Sequence, residues 1–370
     1  MKVDFINLPK RLKRYEKVFF KDIKKIISNG DYILGNKLNK FENEIKKFTK
    51  SRFCIGVNSG YDALFLSLKC IGINTGDEVI TVSNSYVATI NAIINVGAKP
   101  VFVDIGKDLN MDVTDLKNKI SKKTKAIIPV HLTGNPCELD QIVEIAKSRN
   151  LVIIEDCAQA IGAKYKNKHV GNFGEFGCFS LHPAKNLHVL GDGGFIILNN
   201  KKYYKRLTKL RNHGHTSREL IDDFGLNSRL DTIQASYASL MLKDYGKWQG
   251  KIDKIANYYN KNLTNKIIKP IIKKHKKSVF HNYILLVENK TREKLIKFLN
   301  KRGIQTRIHY PINFHQQKVF LRNYSKVKLY NTELLSKKIL SLPIYPELTT
   351  RELEYIVKVF NSFFNKIEKK

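Results

Sequence analysis

The sequence has few cysteines and no long hydrophobic run. Its five cysteines are scattered and show neither paired spacing nor a Cys-x-x-Cys motif, which argues against disulfides and against a structural zinc site. No apolar segment approaches the length of a transmembrane helix, and residues 1–9 lack the apolar stretch of a signal peptide. We therefore expect a cytoplasmic protein with no membrane association and no bound metal.

Acidic residues are also scarce, since 33 Asp and Glu stand against 66 Lys and Arg, a formal net charge of +33. A nucleic-acid-binding protein usually concentrates its basic residues on one face or one arm. Here the lysines are spread along almost every predicted helix, so we expect no specific nucleic-acid binding. The charge is instead suited to attracting an anionic substrate over distances that salt would screen.

The order of apolar segments predicts an α/β fold of two domains. From Phe53 onward, short apolar strands alternate with amphipathic helices, a pattern typical of a mostly parallel sheet flanked by helices. We predict a large α/β domain over residues 1–248, ending near Trp248, and a smaller α+β domain over residues 249–370. The N-terminal helix is expected to pack partly with the small domain, whose pattern includes strands at 280–287 and 304–309.

One lysine, Lys185, lies in a polar loop between two apolar runs that should be buried strands. Pro183 fixes the backbone before it, and glycines at 191, 193 and 194 allow tight turning after it. An enclosed lysine loses its proton more readily than an exposed one, and the neutral amine can bond to a carbonyl. Taken alone, Lys185 is more simply a surface lysine, as most lysines are, and only the residues around it can favour the other interpretation.

Polar groups follow three other predicted strands, and in parallel sheets such strand ends meet at one edge. Asp156 follows the strand at 151–155, Ser59 and Gly60 open a helix, and Tyr86 follows a third strand. Each has an ordinary alternative by itself: helix capping for the first two sites and a core aromatic for Tyr86. Together with a lysine, they are what pyridoxal phosphate requires: an amine for its aldehyde, a carboxylate for its ring nitrogen, a helix N-terminus for its phosphate and an aromatic ring.

Motifs along nearly the whole chain then resemble one known family. They are Phe5-Ile-Asn-Leu8, Asn58-Ser-Gly60, Gly76-Asp-Glu-Val-Ile80, Pro129-Val-His-Leu132, Glu155-Asp-Cys-Ala-Gln-Ala160, His182-Pro-Ala-Lys-Asn-Leu187, Gly191-Asp-Gly-Gly194, Asn227-Ser-Arg-Leu-Asp231, His309-Tyr-Pro311 and Leu340-Ser-Leu-Pro343. The chain closely resembles the DegT/DnrJ/EryC1/StrS sugar aminotransferases. The resemblance implies the fold-type-I architecture of pyridoxal-phosphate enzymes, that of aspartate aminotransferase.

The resemblance also implies roles for individual residues. Lys185 would bond to the cofactor aldehyde and Asp156 would pair with its ring nitrogen. The other implied cofactor-binding residues are Ser59, Gly60, Tyr61, Tyr86, Gln159, Ser180 and Asn227. Asn227 would reach the phosphate from a second subunit, so the resemblance implies a homodimer with shared active sites. His182, His309 and Tyr310 would lie near the substrate.

The implied reaction moves an amino group from glutamate to a nucleotide-linked keto-sugar, in the biosynthesis of amino sugars for surface polysaccharides such as lipopolysaccharide. His309-Tyr-Pro311 is more typical of members that act at C3, which favours a dTDP-3-keto-6-deoxyhexose. A C4-keto sugar linked to UDP or GDP is the alternative, and a non-catalytic binding or regulatory protein is a further one. Arg229 and Arg307 are candidates for binding the diphosphate or the donor's carboxylate.

Three positions depart from the family pattern. Tyr61 stands where a threonine is usual, which removes a hydroxyl expected at the phosphate but leaves the backbone N–H. His182 replaces a tyrosine or phenylalanine, and His188 replaces a small residue. Both histidines lie next to Lys185 in sequence, so we expect them to reshape the sugar pocket.

Overall fold

The structure is a computed structural model that describes residues 1–367, apart from the side chains of Leu12 and Ile367. The last three residues of the predicted small domain therefore lie outside the described part. Seven strands form the central sheet: β1 (Phe53–Val57), β2 (Glu78–Val82), β3 (Lys99–Val103), β4 (Thr124–Ile127), β5 (Val152–Asp156), β8 (Phe176–Ser180) and β9 (Gly194–Leu198). Their order across the sheet is β1-β9-β8-β5-β4-β2-β3.

Strand β9 alone runs antiparallel to its neighbours in this sheet, and the other six share one direction. Their carboxyl ends therefore meet at one edge, where ligands bind in α/β proteins. Successive residues of β9 point to opposite faces. Phe195 and Ile197 enter one apolar core, whereas Ile196 and Leu198 enter another. Both faces are thus covered, as the continuous apolar strands predicted.

Helices cover the two faces of the sheet and form much of the small domain. In chain order they are α1 (Leu8–Asn29), α2 (Asn36–Thr49), α3 (Gly60–Cys70), α4 (Val87–Asn95), α5 (Val113–Lys119), α6 (Leu139–Ser148), α7 (Lys201–Leu210), α8 (Thr232–Asn262), α9 (Asn289–Asn300), α10 (Lys318–Asn323), α11 (Tyr330–Ser336) and α12 (Thr350–Ile367). None of the described helices is long and apolar enough to cross a membrane. The cytoplasmic location stays a prediction.

Helix α8 runs through the predicted domain boundary without a break. Its residues up to Trp248 pack into the core of the large sheet, whereas Ile252, Ile255 and Tyr259 pack into a second core. One helix therefore serves both cores because its apolar residues continue at helical spacing past the point where the neighbours change. The division at 248/249 stays a prediction, although the cores change at that point.

The small domain centres on an antiparallel pair, β11 (Tyr283–Leu286) and β12 (Ile339–Leu342), packed against α9 and α12. Three short strands, β6 (Lys164–Tyr165), β7 (Lys168–His169) and β10 (Lys276–Lys277), form a separate small sheet. Its strands come from both predicted domains. The predicted strand at 304–309 is wrong. This segment pairs one residue at a time with two partners, through the bridges Val3↔Ile304 and Arg307↔Ser341, so no continuous ladder forms.

Candidate active site

Lys185 lies in the loop between β8 and β9, as the sequence predicted. Its N–H donates to the carbonyl of His182 at 2.8 Å, which closes a tight turn around it. Burial lowers the pKa of Lys185 from 10.5 to about 8, and the Asp156 carboxylate offsets part of that effect. At pH 7 about one amine in ten is then unprotonated, far more than for a solvated lysine. The site therefore supplies a nucleophilic amine near neutral pH.

Asp156 ends β5 at the carboxyl edge, and its two oxygens have different partners. Its Oδ2 accepts a hydrogen bond from Thr89 Oγ1 at 2.7 Å, and Thr89 Oγ1 lies 2.7 Å from Ser85 Oγ. Its Oδ1 accepts from the N–H of Ala158 at 3.1 Å. Because Thr89 donates to the carboxylate, Ser85 donates to Thr89, and this chain of hydroxyls holds the Asp156 side chain in one orientation.

The capping alternative for Asp156 does not hold, since no helix begins between the end of β5 and Lys164, where the next strand starts. The sequence reasoning missed Thr89 and Ser85. A signal was present: both hydroxyl residues lie in the segment that runs from the end of β2 into the first turn of α4, next to the carboxyl edge of the sheet.

Ser59, Gly60 and Ser180 come together at the N-terminus of α3. Ser59 caps this helix by accepting the N–H of Asp62 at 3.0 Å. A Cβ on Gly60 would lie 2.7 Å from Ser180 Cβ, and one on Gly194 would lie 2.4 Å from the Ser59 carbonyl oxygen. Glycine is therefore required at both positions, because a side chain there would prevent the start of α3 from packing against β8 and β9. Free amides and the helix dipole at this point suit a phosphate.

The Tyr61 side chain turns away from that position. Its hydroxyl accepts a hydrogen bond from Asn95 Nδ2 at 2.8 Å, and its ring stacks on Phe65 with centroids 6.0 Å apart. The phenol therefore joins α3 to α4. A contact of Tyr61 with the cofactor through its backbone N–H stays a prediction.

Gln159, Tyr310 and Tyr86 form a group next to Asp156. Gln159 Oε1 accepts the N–H of Thr133 at 2.7 Å, which orients the amide so that Nε2 donates to the Tyr310 hydroxyl at 3.2 Å. The Tyr310 ring lies 6.2 Å from that of Tyr86, which is 58% exposed. Burial, followed by the Asp156 charge, raises the pKa of Tyr310, so its hydroxyl keeps its proton.

The predicted histidines have three different environments. His309 Nδ1 lies 2.9 Å from Ser341 Oγ, and burial, with the charges of Lys185 and Arg307, lowers the His309 pKa to about 4. His182 is exposed in the Lys185 loop. His188 is instead buried against Tyr237, and this burial lowers its pKa to about 3. His309 and His188 are therefore neutral at pH 7.

Asn227 is exposed, and within the described residues no hydrogen bond joins it to Lys185. Its neighbour Ser228 accepts the N–H of Asn58 at 3.1 Å and donates to Asp62 at 2.7 Å. Arg229 is directed elsewhere, since its Nη1 donates to Asn212 Oδ1 at 3.0 Å. The role of Asn227 across a subunit boundary stays a prediction.

Comparison with known proteins agrees with this arrangement. The dTDP-3-amino-3,6-dideoxy-alpha-D-galactopyranose transaminase of Aneurinibacillus thermoaerophilus is 38% identical over 98% of this chain and 99% of the relative. The GDP-perosamine synthase of Escherichia coli O157:H7 is 37% identical over 90% of this chain and 91% of the relative. The crystal structure of S. venezuelae DesV in complex with a ketimine intermediate has a TM-score of 0.94, 32% identity and 98% coverage of both chains.

Residues 13–361 match the DegT/DnrJ/EryC1/StrS aminotransferase family. The chain belongs to this family. It is an aminotransferase that depends on pyridoxal phosphate, and the fold-type-I architecture expected from the sequence is confirmed. The residues present fit the cofactor, because a carboxylate, an amine of lowered pKa and an open helix N-terminus meet at one edge of the sheet.

The aminotransferase site includes groups that the sequence reasoning missed. Arg11 of α1 donates from Nε to Glu347 Oε2 at 3.1 Å and from Nη1 to the Lys185 carbonyl oxygen at 3.5 Å. His281 Nδ1 lies 3.0 Å from Asn186 Oδ1. These contacts join the Lys185 loop to the N-terminal helix and the small domain. Nothing in the local sequence marks Arg11, which stands in a helix full of basic residues.

A buried cluster behind the aminotransferase site has the composition of a metal site. It contains His131, Glu155 and Cys157. Its polar atoms are nevertheless used by the protein: Glu155 accepts the N–H groups of residues 171, 173 and 174, and also contacts His131 Nε2 at 3.0 Å. His131 Nδ1 accepts the N–H of Cys137 at 3.1 Å. Hydrogen bonding thus accounts for the cluster without an ion, and it fixes the end of β5 next to Asp156.

Proposed function

We propose that this aminotransferase moves the amino group of glutamate to a keto-sugar carried on a nucleoside diphosphate. The observation that carries the proposal is the Lys185 amine of lowered pKa held within electrostatic reach of the Asp156 carboxylate. Relatives named for sugars linked to dTDP and to GDP support the substrate class. Within that class we favour a dTDP-3-keto-6-deoxyhexose, because the chain has His309-Tyr-Pro311 and a similar relative is named as a dTDP-3-amino-sugar transaminase.

Asp156 and Lys185 have different roles in the proposed reaction. When bound, the cofactor supplies an aldehyde for the amino group and a ring that accepts electron density from the substrate carbon. Asp156, held by Thr89 and the Ala158 amide, would pair with the ring nitrogen of the bound cofactor. Lys185 removes and returns the proton at the substrate carbon, for which a pKa of about 8 is well suited.

On the substrate side, the protein offers neutral hydrogen-bonding groups. His309 keeps an uncharged ring at pH 7 because its pKa is lowered to about 4. Tyr310 keeps its hydroxyl proton and is held by Gln159. Neutral donors and acceptors suit the hydroxyl and carbonyl groups of a sugar better than charged groups would, because they leave no charge unpaired in a closed site.

The proposal includes a homodimer with shared active sites. Asn227 is exposed, and the loop before it presents Leu220, Ile221 and Phe224 to solvent at 63%, 60% and 88% exposure. Clustered exposed apolar side chains are typical of an interface.

Mixing Lys185→Ala chains with Asn227→Ala chains tests whether Asn227 contributes to the partner's active site. If Asn227 serves the partner's site, mixed dimers contain one intact site and regain activity. If it serves its own site, activity stays lost.

One screen tests the reaction and the substrate together. The protein reconstituted with pyridoxal phosphate is mixed with glutamate and a panel of 3-keto and 4-keto sugars linked to dTDP, UDP or GDP. We expect 2-oxoglutarate and an amino sugar of the corresponding mass with the dTDP-linked 3-keto-6-deoxyhexose. Amination of a C4-keto sugar linked to UDP or GDP would support the alternative instead. Failure of glutamate to convert the cofactor to its amino form would contradict the proposal and favour a non-catalytic role.

A further inference from the structure

A cavity of ≈ 200 Å³ lies beside the Lys185 loop, between the N-terminal segment and the small domain. Ala184 and Asn186, the residues on either side of Lys185, both line it. Pockets for drug-sized ligands are usually about 300–1,000 Å³. The cavity is therefore too small for a nucleotide-linked sugar, although it can hold part of a small molecule.

The polar lining of the cavity is cationic or neutral. Arg11 and Arg307 contribute guanidinium groups, and His281 and His309 contribute imidazoles. Burial, together with the charge of Lys185, lowers the pKa of both histidines, so neither is charged at pH 7. Arg11 is already paired with Glu347 at 3.1 Å.

Arg307 differs from Arg11 because its guanidinium has no ion pair within residues 1–367. It is held at the cavity by its backbone, which exchanges hydrogen bonds with Ser341 at 3.2 and 2.8 Å. Its charge is close enough to His309 to contribute to the lowered pKa of that ring. A free guanidinium on a fixed backbone suits a carboxylate, which it can bind through two parallel hydrogen bonds.

The cavity also has an apolar part of its lining, which includes Phe5, Ile6 and Ile252. A carboxylate joined to a short chain of methylene groups matches this combination, because the chain can lie on the apolar wall while the acid meets the cation. The diphosphate of the sugar substrate shares the anionic chemistry but is strongly hydrated on all sides and gains little from an apolar wall.

We propose that this cavity is the subsite for the amino donor, with Arg307 binding a carboxylate of glutamate. The inference rests on the proposed function for the identity of the donor. Arg229, the other candidate from the sequence, is tied to Asn212 and does not line the cavity. The arrangement places the donor next to the Lys185 loop while leaving the side of Tyr86 and Tyr310 for the sugar.

Separate measurement of the two half-reactions distinguishes binding of the donor's carboxylate by Arg307 from binding of the sugar's diphosphate. Arg307→Met is compared with Arg307→Lys, and with Arg322→Met as a control that removes an exposed arginine of α10 outside the cavity lining. In Arg307→Met, we expect the glutamate concentration for half-maximal conversion of the cofactor to rise about 10- to 100-fold, the usual effect of losing a hydrogen bond to a charged group. Arg307→Lys should recover part of the loss, and the control should change it less than about 3-fold.

The second half-reaction, in which the amino form of the cofactor reacts with the keto-sugar, should change little in Arg307→Met. A loss confined to this half-reaction would assign Arg307 to the diphosphate and overturn the inference. Equal loss in both half-reactions would show a general structural role and overturn it as well.

Binding of glutarate, a dicarboxylate without an amino group, gives a readout that does not need turnover. Calorimetry on the reconstituted protein should show about 10-fold weaker glutarate binding in Arg307→Met than in the wild type. Unchanged glutarate binding would overturn the inference even if the enzyme aminates the expected sugar. Conversely, a wild-type protein that aminates no sugar but binds glutarate through Arg307 would contradict only the proposed function.

Discussion

Replacing Lys185 by methionine should stabilise the protein without cofactor at neutral pH. The lysine is enclosed with a charge that burial disfavours, and methionine keeps a chain of similar length without that charge. A fall in the pKa of Lys185 from 10.5 to about 8 corresponds to about 3 kcal/mol of unfolding free energy. We therefore expect Lys185→Met to raise the unfolding free energy by about 2–3 kcal/mol at pH 7.

The gain should depend on pH in a specific direction. Below about pH 8 the lysine is protonated in both the folded and the unfolded protein, so the folded state bears the whole penalty. Between pH 8 and 10.5 the folded protein releases the proton and the unfolded chain keeps it, so wild-type stability rises with pH relative to the variant. The difference between the two proteins should shrink to less than about 1 kcal/mol near pH 10.

Urea unfolding at fixed protein concentration, at pH 7 and pH 10, measures this difference. Lys254→Met removes an exposed lysine of α8 and serves as the control, with no expected dependence on pH. A difference between wild type and Lys185→Met that stays constant from pH 7 to pH 10 would refute the conclusion that burial lowers the pKa of this amine.

Two further predictions concern the groups around Lys185. Thr89→Val keeps the shape of the side chain but removes the hydrogen bond to Asp156, so the unfolding free energy should fall by about 1.5–3 kcal/mol and the absorbance of the bound cofactor should change. Thr89→Ser should restore both, and a spectrum unchanged in the valine variant would show that Thr89 has no influence on the cofactor. Gly60→Ala places a Cβ 2.7 Å from Ser180 Cβ, so we expect pyridoxal phosphate to bind at least about 10-fold more weakly in a fluorescence titration. Equal affinity would mean that the approach of α3 to β8 is not needed for the phosphate.

The large sheet and its functional edge could be predicted because each depends on local sequence. Continuous apolar segments such as β5 and β9 indicate buried strands. A polar residue that follows such a parallel strand must lie at the carboxyl edge of the sheet. This pattern predicts that Asp156, Ser59 and Tyr86 lie at the carboxyl edge of the sheet. The resemblance to the family then implied cofactor contacts for Gln159 and Ser180 and substrate contacts for His309 and Tyr310, and these roles stay predictions.

Other features depend on contacts between distant segments and leave no local signal. The segment at 304–309 has the composition of a strand, but its partners Val3 and Ser341 come from opposite ends of the chain and pair with it only once each. Arg11 reaches Lys185 across 174 positions of sequence. The burial of His188 was missed for the same reason, since its environment is set by Tyr237 on α8.

Among the many lysines of the chain, Lys185 alone is expected to bond to the cofactor. Borohydride reduction of the reconstituted protein makes that bond permanent, and digestion followed by mass spectrometry locates the labelled lysine. We expect a single phosphopyridoxyl group on the peptide that contains Lys185, and none on that peptide in Lys185→Ala. A label on another lysine, or one spread over several lysines, would contradict it.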